Sequence, residues 1–274
     1  MTITDNMSMV ESYAFWNWWF RTHPAKAGIF EDYIWPHQLK LWNNMLAGRE
    51  CPFCHGDRFV QLAEPIIINI ITTQRVYCAC LVLEQMETKY QYESVFTKQT
   101  LFSIKPYGVA AKETKFIVKE AEAFINSPAM WVYLYGGYGS AKTHILTSIK
   151  TSLRGLALYI TASEFAQHVF KATGEHRLDE LLDEVANVPV LLIDDLGTEY
   201  SKNSEYLYSA FYNVINRRYA LRAKAPIFVT SNVTQQAMLQ HGDENMRRIA
   251  TRLSDVDLVI PLVSKQEDYR RRET

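Results

Sequence analysis

Residues 131–146 read WVYLYGGYGSAKTHIL: a short aromatic and β-branched run stops at a glycine-rich turn, and a Lys-Thr pair follows. Trp131 to Tyr135 have the length and composition of a buried strand bounded by glycine. Gly136, Gly137 and Gly139 let the backbone turn tightly, so that successive N–H groups point inward at phosphate oxygens where a side chain would be in the way. A helix starting near Lys142 adds the positive end of its dipole. The stretch from Gly136 through Tyr138, Ser140 and Ala141 to Thr143 is therefore expected to cradle nucleotide phosphates. Lys142 would reach the β- and γ-phosphates and the Thr143 hydroxyl would ligate Mg²⁺. The full pattern is G-x-x-x-x-G-K-[ST], and Ala141 stands where its second glycine should be. One added methyl predicts weakened or slightly reshaped binding, with the site retained.

The chain of 274 residues suits one medium domain plus a smaller one, and its 48% hydrophobic content is enough for a core. A net charge of −1 argues against coating nucleic acid by bulk electrostatics, so any such contact must come from a local basic stripe or an assembled ring. The longest apolar stretch, EPIIINIITTQRVYC, is too short and too polar at its flanks to span a bilayer. The N-terminus lacks a basic region followed by an apolar run, so a cytoplasmic protein without membrane contact is expected.

Residues 1 to about 48 are rich in aromatics. Trp16, Trp19 and Phe20 share a helical face, as do Trp35, Leu39 and Trp42, which predicts short helices forming a small core, a docking surface for a partner, or both. All four cysteines follow at Cys51, Cys54, Cys78 and Cys80. A C-x-x-C turn, a β-rich hairpin and a C-x-C turn bring two thiolate pairs together at tetrahedral Zn²⁺ spacing. Disulfides are disfavoured in the cytosol, and thiols one residue apart bridge poorly. Four protein ligands leave no open position, so the zinc would be structural, and His55 is read as a surface side chain. These features define an N-terminal domain over 1–82, a connector over 83–105 and a larger domain over 106–274.

In the larger domain AAKETKFIVKEAEAFI predicts an amphipathic helix with Phe116, Ile117, Ala121 and Phe124 on or near one face. Strands are predicted at 156–161, 188–195, 225–232 and 257–262, with helical segments between them. With the phosphate-loop strand they make a five-stranded, mostly parallel α/β sheet flanked by helices. Ligands of such sheets sit beyond the carboxyl ends of the strands. There Asp194 and Asp195 close the run VLLI, Asp194 placed to hold Mg²⁺ and Asp195 to polarise an attacking water. Asn232, closing IFVTSN, has the chemistry to orient that water or touch the γ-phosphate.

The order GGYGSAKTHI, LLIDDLGTE, VINRRYA, PIFVTSN and RRIATRLSD, over about 106 to 265, resembles the DnaC/DnaI/IstB branch of AAA+ ATPases, the replicative helicase loaders and their transposition relatives. The resemblance implies that Lys142 binds ATP, that Asp194 and Asp195 form the Walker B pair and that Asn232 is sensor 1. It also implies that Arg252 in ATRLSD is the finger reaching the ATP of an adjacent subunit, with Arg247 and Arg248 close enough to compete for that role. Arg217 and Arg218 match the family pattern and are expected at a subunit interface. A finger in turn implies self-association into a ring or spiral. Asp195 replaces the commoner Glu, which shortens the base. Too few residues follow the last strand for the helical lid of larger relatives.

The same resemblance implies single-stranded DNA and a DnaB-type hexameric helicase as partners, the helicase held by the zinc-ribbon-like and helical N-terminal domain. Phe170 and Lys171 lie where related proteins contact single strands. An IstB-like transposition helper, and a zinc adaptor switched by nucleotide with little turnover, are the alternatives.

Overall fold

The computed structural model describes residues 57–68, 71–78, 81, 100–106, 110–126, 128, 130–153, 157–188, 190–197, 204–222 and 225–265. The chain divides into two compact units, Met1–Gln91 and Tyr92–Thr274.

In the first unit β1 (Phe59–Ile68) and β2 (Ile71–Tyr77) form the antiparallel hairpin that the sequence places between the cysteine pairs, with Phe59 opposite Tyr77 and an irregularity in register between Gln61 and Ile66. The Phe59 and Tyr77 rings stand 4.8 Å apart, and the Cys78 N–H donates to the Arg58 carbonyl at 2.7 Å, extending the ladder to a buried Cys78. Cys51, Cys54, Cys80 and His55, and the aromatic segments over 1–48, lie outside the described residues.

The second unit begins for description with a short 3₁₀ turn, Leu101–Ser103. Leu101 and Ile104 are buried, so this end of the expected connector belongs to the unit's core. Helix α1 (Ala111–Asn126) packs through Thr114, Ile117, Ala121 and Phe124, the ring of Phe124 meeting Phe228 edge-on at 5.3 Å. Phe116, which the sequence places on or near that face, lies at its margin and is 53% exposed. Its neighbour Ile117 takes the inward position, because one residue along a helix turns the side chain by about 100°.

Five strands follow: β3 (Trp131–Gly136), β4 (Ala157–Thr161), β5 (Val190–Asp194), β6 (Ile227–Ser231) and β7 (Val259–Ser264). All their pairings are parallel, in the order β4-β5-β6-β3-β7. Their near-continuous apolar runs are what a sheet covered on both faces requires, and every residue of β5 and β6 is buried. Parallel neighbours need crossovers. These are α2 (Lys142–Leu153), α3 (Ala162–Gly174) with α4 (Leu178–Asn187), α5 (Ser204–Leu221), and α6 (Gln235–His241) with α7 (Glu244–Leu253). The order puts β3 between β6 and β7 with β5 next to β6, so the carboxyl ends of β3, β5 and β6 open onto one cleft. Among the described residues no helix is long and apolar enough to cross a membrane.

Candidate active site

The phosphate loop leaves β3 at Gly136, where no side chain fits: a Cβ there would stand 2.4 Å from the Ser264 carbonyl oxygen on β7. Ser264 closes the brace by donating its hydroxyl to the Ser140 carbonyl at 2.9 Å, and the Ser140 hydroxyl donates to the Gly137 carbonyl at 2.7 Å. Gly139 takes φ +71° and Ala141 takes φ +64°. Ala141 thus occupies the left-handed region that the pattern's glycine adopts without strain, at a cost of about 1 kcal/mol or more for an L residue. We expect Ala141→Gly to stabilise the protein by about 1 kcal/mol in urea unfolding and to tighten binding of a fluorescent ATP analogue, against the usual loss for Ala→Gly in a helix. A destabilised variant would show that the loop relaxes the strain elsewhere.

Lys142 opens α2 and is only 5% exposed. Its ammonium donates to the carbonyls of Gly136 (2.9 Å) and Gly137 (2.8 Å) and to Asn232 Oδ1 (2.7 Å). Burial pulls its proton affinity below the ordinary lysine range, opposed by the charges of Asp195 and Asp194. Thr143 is half-buried one residue on. His144 then accepts or donates a hydrogen bond with the Ser103 hydroxyl at 2.8 Å, tying the 3₁₀ turn to α2.

Asp194 ends β5 and is 2% exposed. One carboxylate oxygen accepts from the Tyr159 hydroxyl at 2.8 Å and the other from the Thr230 hydroxyl. Burial first, then the adjacent Asp194 charge, push the Tyr159 phenol above its usual range, so it stays a donor. Asp195 follows at φ +56°, half-buried, its N–H donating to Thr230 Oγ1 at 3.1 Å. Burial and the charge of Asp194 raise its carboxyl above the ordinary carboxylate range, while Lys142 and a hydrogen bond from Asn232 Nδ2 (3.4 Å) pull the other way. Asn232 therefore bridges Lys142 to Asp195. The structure brings Lys142, Asn232, Asp194 and Asp195 together as the sequence predicts. Thr230, Tyr159 and Ser264 join them unforeseen; their only signal was a hydroxyl inside a run otherwise apolar.

Arg252 is not part of this cluster. Its Nε and Nη2 donate to Asn216 Oδ1 at 3.3 and 3.2 Å, and its guanidinium lies 4.5 Å over the Tyr219 ring. Tyr219 meets Trp131 edge-on at 6.1 Å, and Trp131 is the first residue of β3. The phosphate loop lies at the other end of that strand, about 16 Å away at roughly 3.3 Å per residue. Arg248 pairs with Glu244 and covers the Tyr212 ring, while Arg247 is exposed. Arg217 pairs with Asp183 at the surface. Arg218 corrects the expectation of an interface residue: it is fully buried and donates to the carbonyls of Ala186 (2.9 Å), Val188 (2.7 Å) and Pro226 (2.7 Å). Phe170 is 46% exposed beside Tyr206, and Lys171 is exposed.

A buried ammonium in a glycine loop, two carboxylates and an amide at neighbouring strand ends are the parts needed to bind a polyphosphate and activate a water against it. The hard oxygen donors of Thr143 and Asp194 suit Mg²⁺, which keeps several of its waters and needs few protein ligands.

A family model of the bacterial DnaA ATPase domain matches residues 97–254. The chain is 28% identical over 227 residues to the replicative helicase loader DnaI of Bacillus subtilis (strain 168), covering 76% of this chain and 72% of that protein. It is 27% identical over 111 residues to the chromosomal replication initiator DnaA of Limosilactobacillus reuteri (strain DSM 20016), covering 39% of this chain but only 24% of that protein. Among solved structures it resembles a crystal structure of DnaI, with TM-score 0.51 at 22% identity over 67% of this chain and 98% of that one. It also resembles a crystal structure of the DnaC helicase loader, with TM-score 0.50 at 18% identity over 63% and 99%. The five-stranded parallel core with its flanking helices is the AAA+ fold of those two structures.

Proposed function

The chain belongs to the family of the bacterial DnaA ATPase domain, and on that premise we propose that it is an ATP-hydrolysing, cytoplasmic helicase loader of DNA replication. It would self-associate, hold single-stranded DNA and deliver a DnaB-type helicase. The observation that carries the ATPase reading is the hydrogen-bonded chain Lys142–Asn232–Asp195 at the mouth of the phosphate loop. In this reading Lys142 holds the β- and γ-phosphates, Asp195 takes up the proton of the attacking water, and Asn232 keeps the two in register. Mg²⁺, held through Thr143 and Asp194, would supply charge neutralisation when bound.

The loader role is supported by the similarity to DnaI, which extends over most of both chains. Arg252 lies at the opposite end of the sheet from its own loop, the placement a residue serving a neighbouring subunit would have. The exposed Phe170 and Lys171 offer a stacking face and a charge to a single strand. The spacing of Cys51, Cys54, Cys78 and Cys80 supports structural Zn²⁺ in an N-terminal docking domain over 1–82, joined by the connector 83–105 to the ATPase domain 106–274.

A second reading, a nucleotide-switched adaptor with negligible turnover, draws on the strained Ala141 and the short Asp195. Capture of the host's hexameric replicative helicase by the full chain, with ATP, ADP or no nucleotide, alongside steady-state phosphate release with and without single-stranded DNA, separates the readings. A loader gives ATP-dependent capture and turnover. Capture without turnover selects the adaptor, and turnover without capture selects the transposition helper.

A further inference from the structure

We propose that Thr230 is the positioning residue for both acids of the site: one buried hydroxyl that orients Asp194 and fixes the backbone of Asp195. The proposal rests on the nucleotide-site reading above. Thr230 lies within β6, two residues before Asn232, and is fully buried. A hydroxyl has one proton to give and lone pairs to receive. The Asp195 N–H can only donate, so it claims a lone pair of Thr230 Oγ1, at 3.1 Å. The Thr230 proton is then directed to Asp194 Oδ1. The two bonds select each other.

The backbone continues the clamp. The Leu196 N–H donates to the Thr230 carbonyl at 3.0 Å, and the Ser231 hydroxyl donates to the Leu196 carbonyl at 2.6 Å. Asn232 reaches Asp195. Three consecutive residues of β6 and its end thus hold three consecutive residues at the end of β5. Between them Asp195 is kept at φ +56°, a conformation that persists in a non-glycine residue only when its surroundings over-determine it. Tyr159 serves as the internal contrast, since its hydroxyl reaches Asp194 alone. Thr230 itself is fully buried and acts only through the Asp194 carboxylate and the Asp195 backbone.

Valine keeps the branched shape of threonine in a fully buried strand and removes the hydroxyl, whereas serine keeps the hydroxyl. The test uses full-length wild type, Thr230→Val, Thr230→Ser and Tyr159→Phe. It measures kcat and KM for ATP, the Mg²⁺ concentration that half-saturates binding of a fluorescent ATP analogue, and the urea midpoint. We expect Thr230→Val to lower kcat by about tenfold or more while KM changes by less than about threefold, with Thr230→Ser recovering most of the rate. The half-saturating Mg²⁺ should rise in Thr230→Val and Tyr159→Phe, with the larger loss of kcat confined to Thr230→Val. A kcat within about twofold of wild type in folded Thr230→Val, or a serine variant as slow as the valine one, overturns the proposal. Should wild type itself release no phosphate, the ATPase reading fails separately. The Mg²⁺ dependence of analogue binding then decides, and an unchanged value in Thr230→Val overturns the positioning role.

Discussion

Lys142→Ala is expected to cut ATP turnover by at least about 10²–10³-fold and to weaken nucleotide binding, read by phosphate release and by titration with a fluorescent analogue. The ammonium is bonded to two loop carbonyls and to Asn232, all good acceptors, yet a phosphate carrying negative charge is a better one. Alanine removes the cation that draws the phosphates down and also strips Asn232 of the partner that orients it toward Asp195. The half-buried Asp195 carboxyl loses one of the two influences favouring its ionised form, so less of it is in the ionised form that can accept a proton. The same variant tests the geometry between subunits. Arg252→Ala leaves its own loop intact and, if the arginine acts on a neighbour, is inactive by itself. Mixing the two inactive variants should then restore part of the activity, because a Lys142→Ala subunit supplies Arg252 to an intact loop next door. No recovery would assign the task to another cation, and Arg247, exposed on the same helix, is next in line.

The second large effect concerns stability. Arg218→Met is expected to lower the unfolding free energy by about 3–5 kcal/mol, because three charge-assisted hydrogen bonds in a dry environment are lost at once. Of the three accepting carbonyls, only that of Pro226 keeps a second donor among the described residues, the Leu191 N–H. Those carbonyls belong to the end of α4, the entry to β5 and the entry to β6, so the guanidinium sets the spacing of the two strands that carry Asp194 and Asn232. Lysine cannot rescue the position, since a single ammonium does not reproduce the planar fork. Arg217→Met is the control. Its ion pair with Asp183 is solvent-exposed, and its loss should cost no more than about 1 kcal/mol. Urea unfolding of the full chain measures both.

Much of the site was readable because its parts are local. The loop announces itself through glycines next to a Lys-Thr pair, and the acids through a polar break after four apolar residues. The sheet was readable for a related reason: strands buried on both faces must be written as apolar runs. What stayed hidden depends on residues far apart in the chain. Ser264 braces Ser140, Tyr159 meets Asp194, and Thr230 meets both acids, each contact joining different strands or a strand and the loop. Threonine is an ordinary strand residue, so nothing in IFVTSN marks its hydroxyl as engaged. Arg218 misled for a different reason. Two adjacent arginines look like one charged surface, but a helix turns about 100° between them, and Arg218 lies on the face of Val214 and Ile215, which are buried. Ala141 stands in the sequence as a missing glycine, but its cost is a backbone angle, which no spacing reveals.

The sheet order also sets a timetable for the growing chain. β3 finds its hydrogen-bonded neighbours only in β6, which begins at Ile227, and β7, which begins at Val259. At ordinary rates of synthesis the loop sequence leaves the ribosome on the order of ten seconds before Ser264 exists to brace it. β3, an interior strand paired on both sides, is thus the first of the five to be made and is completed only when β7 arrives. Until then the loop has neither its neighbouring strands nor its brace, so its finished shape belongs to a chain already made through β7.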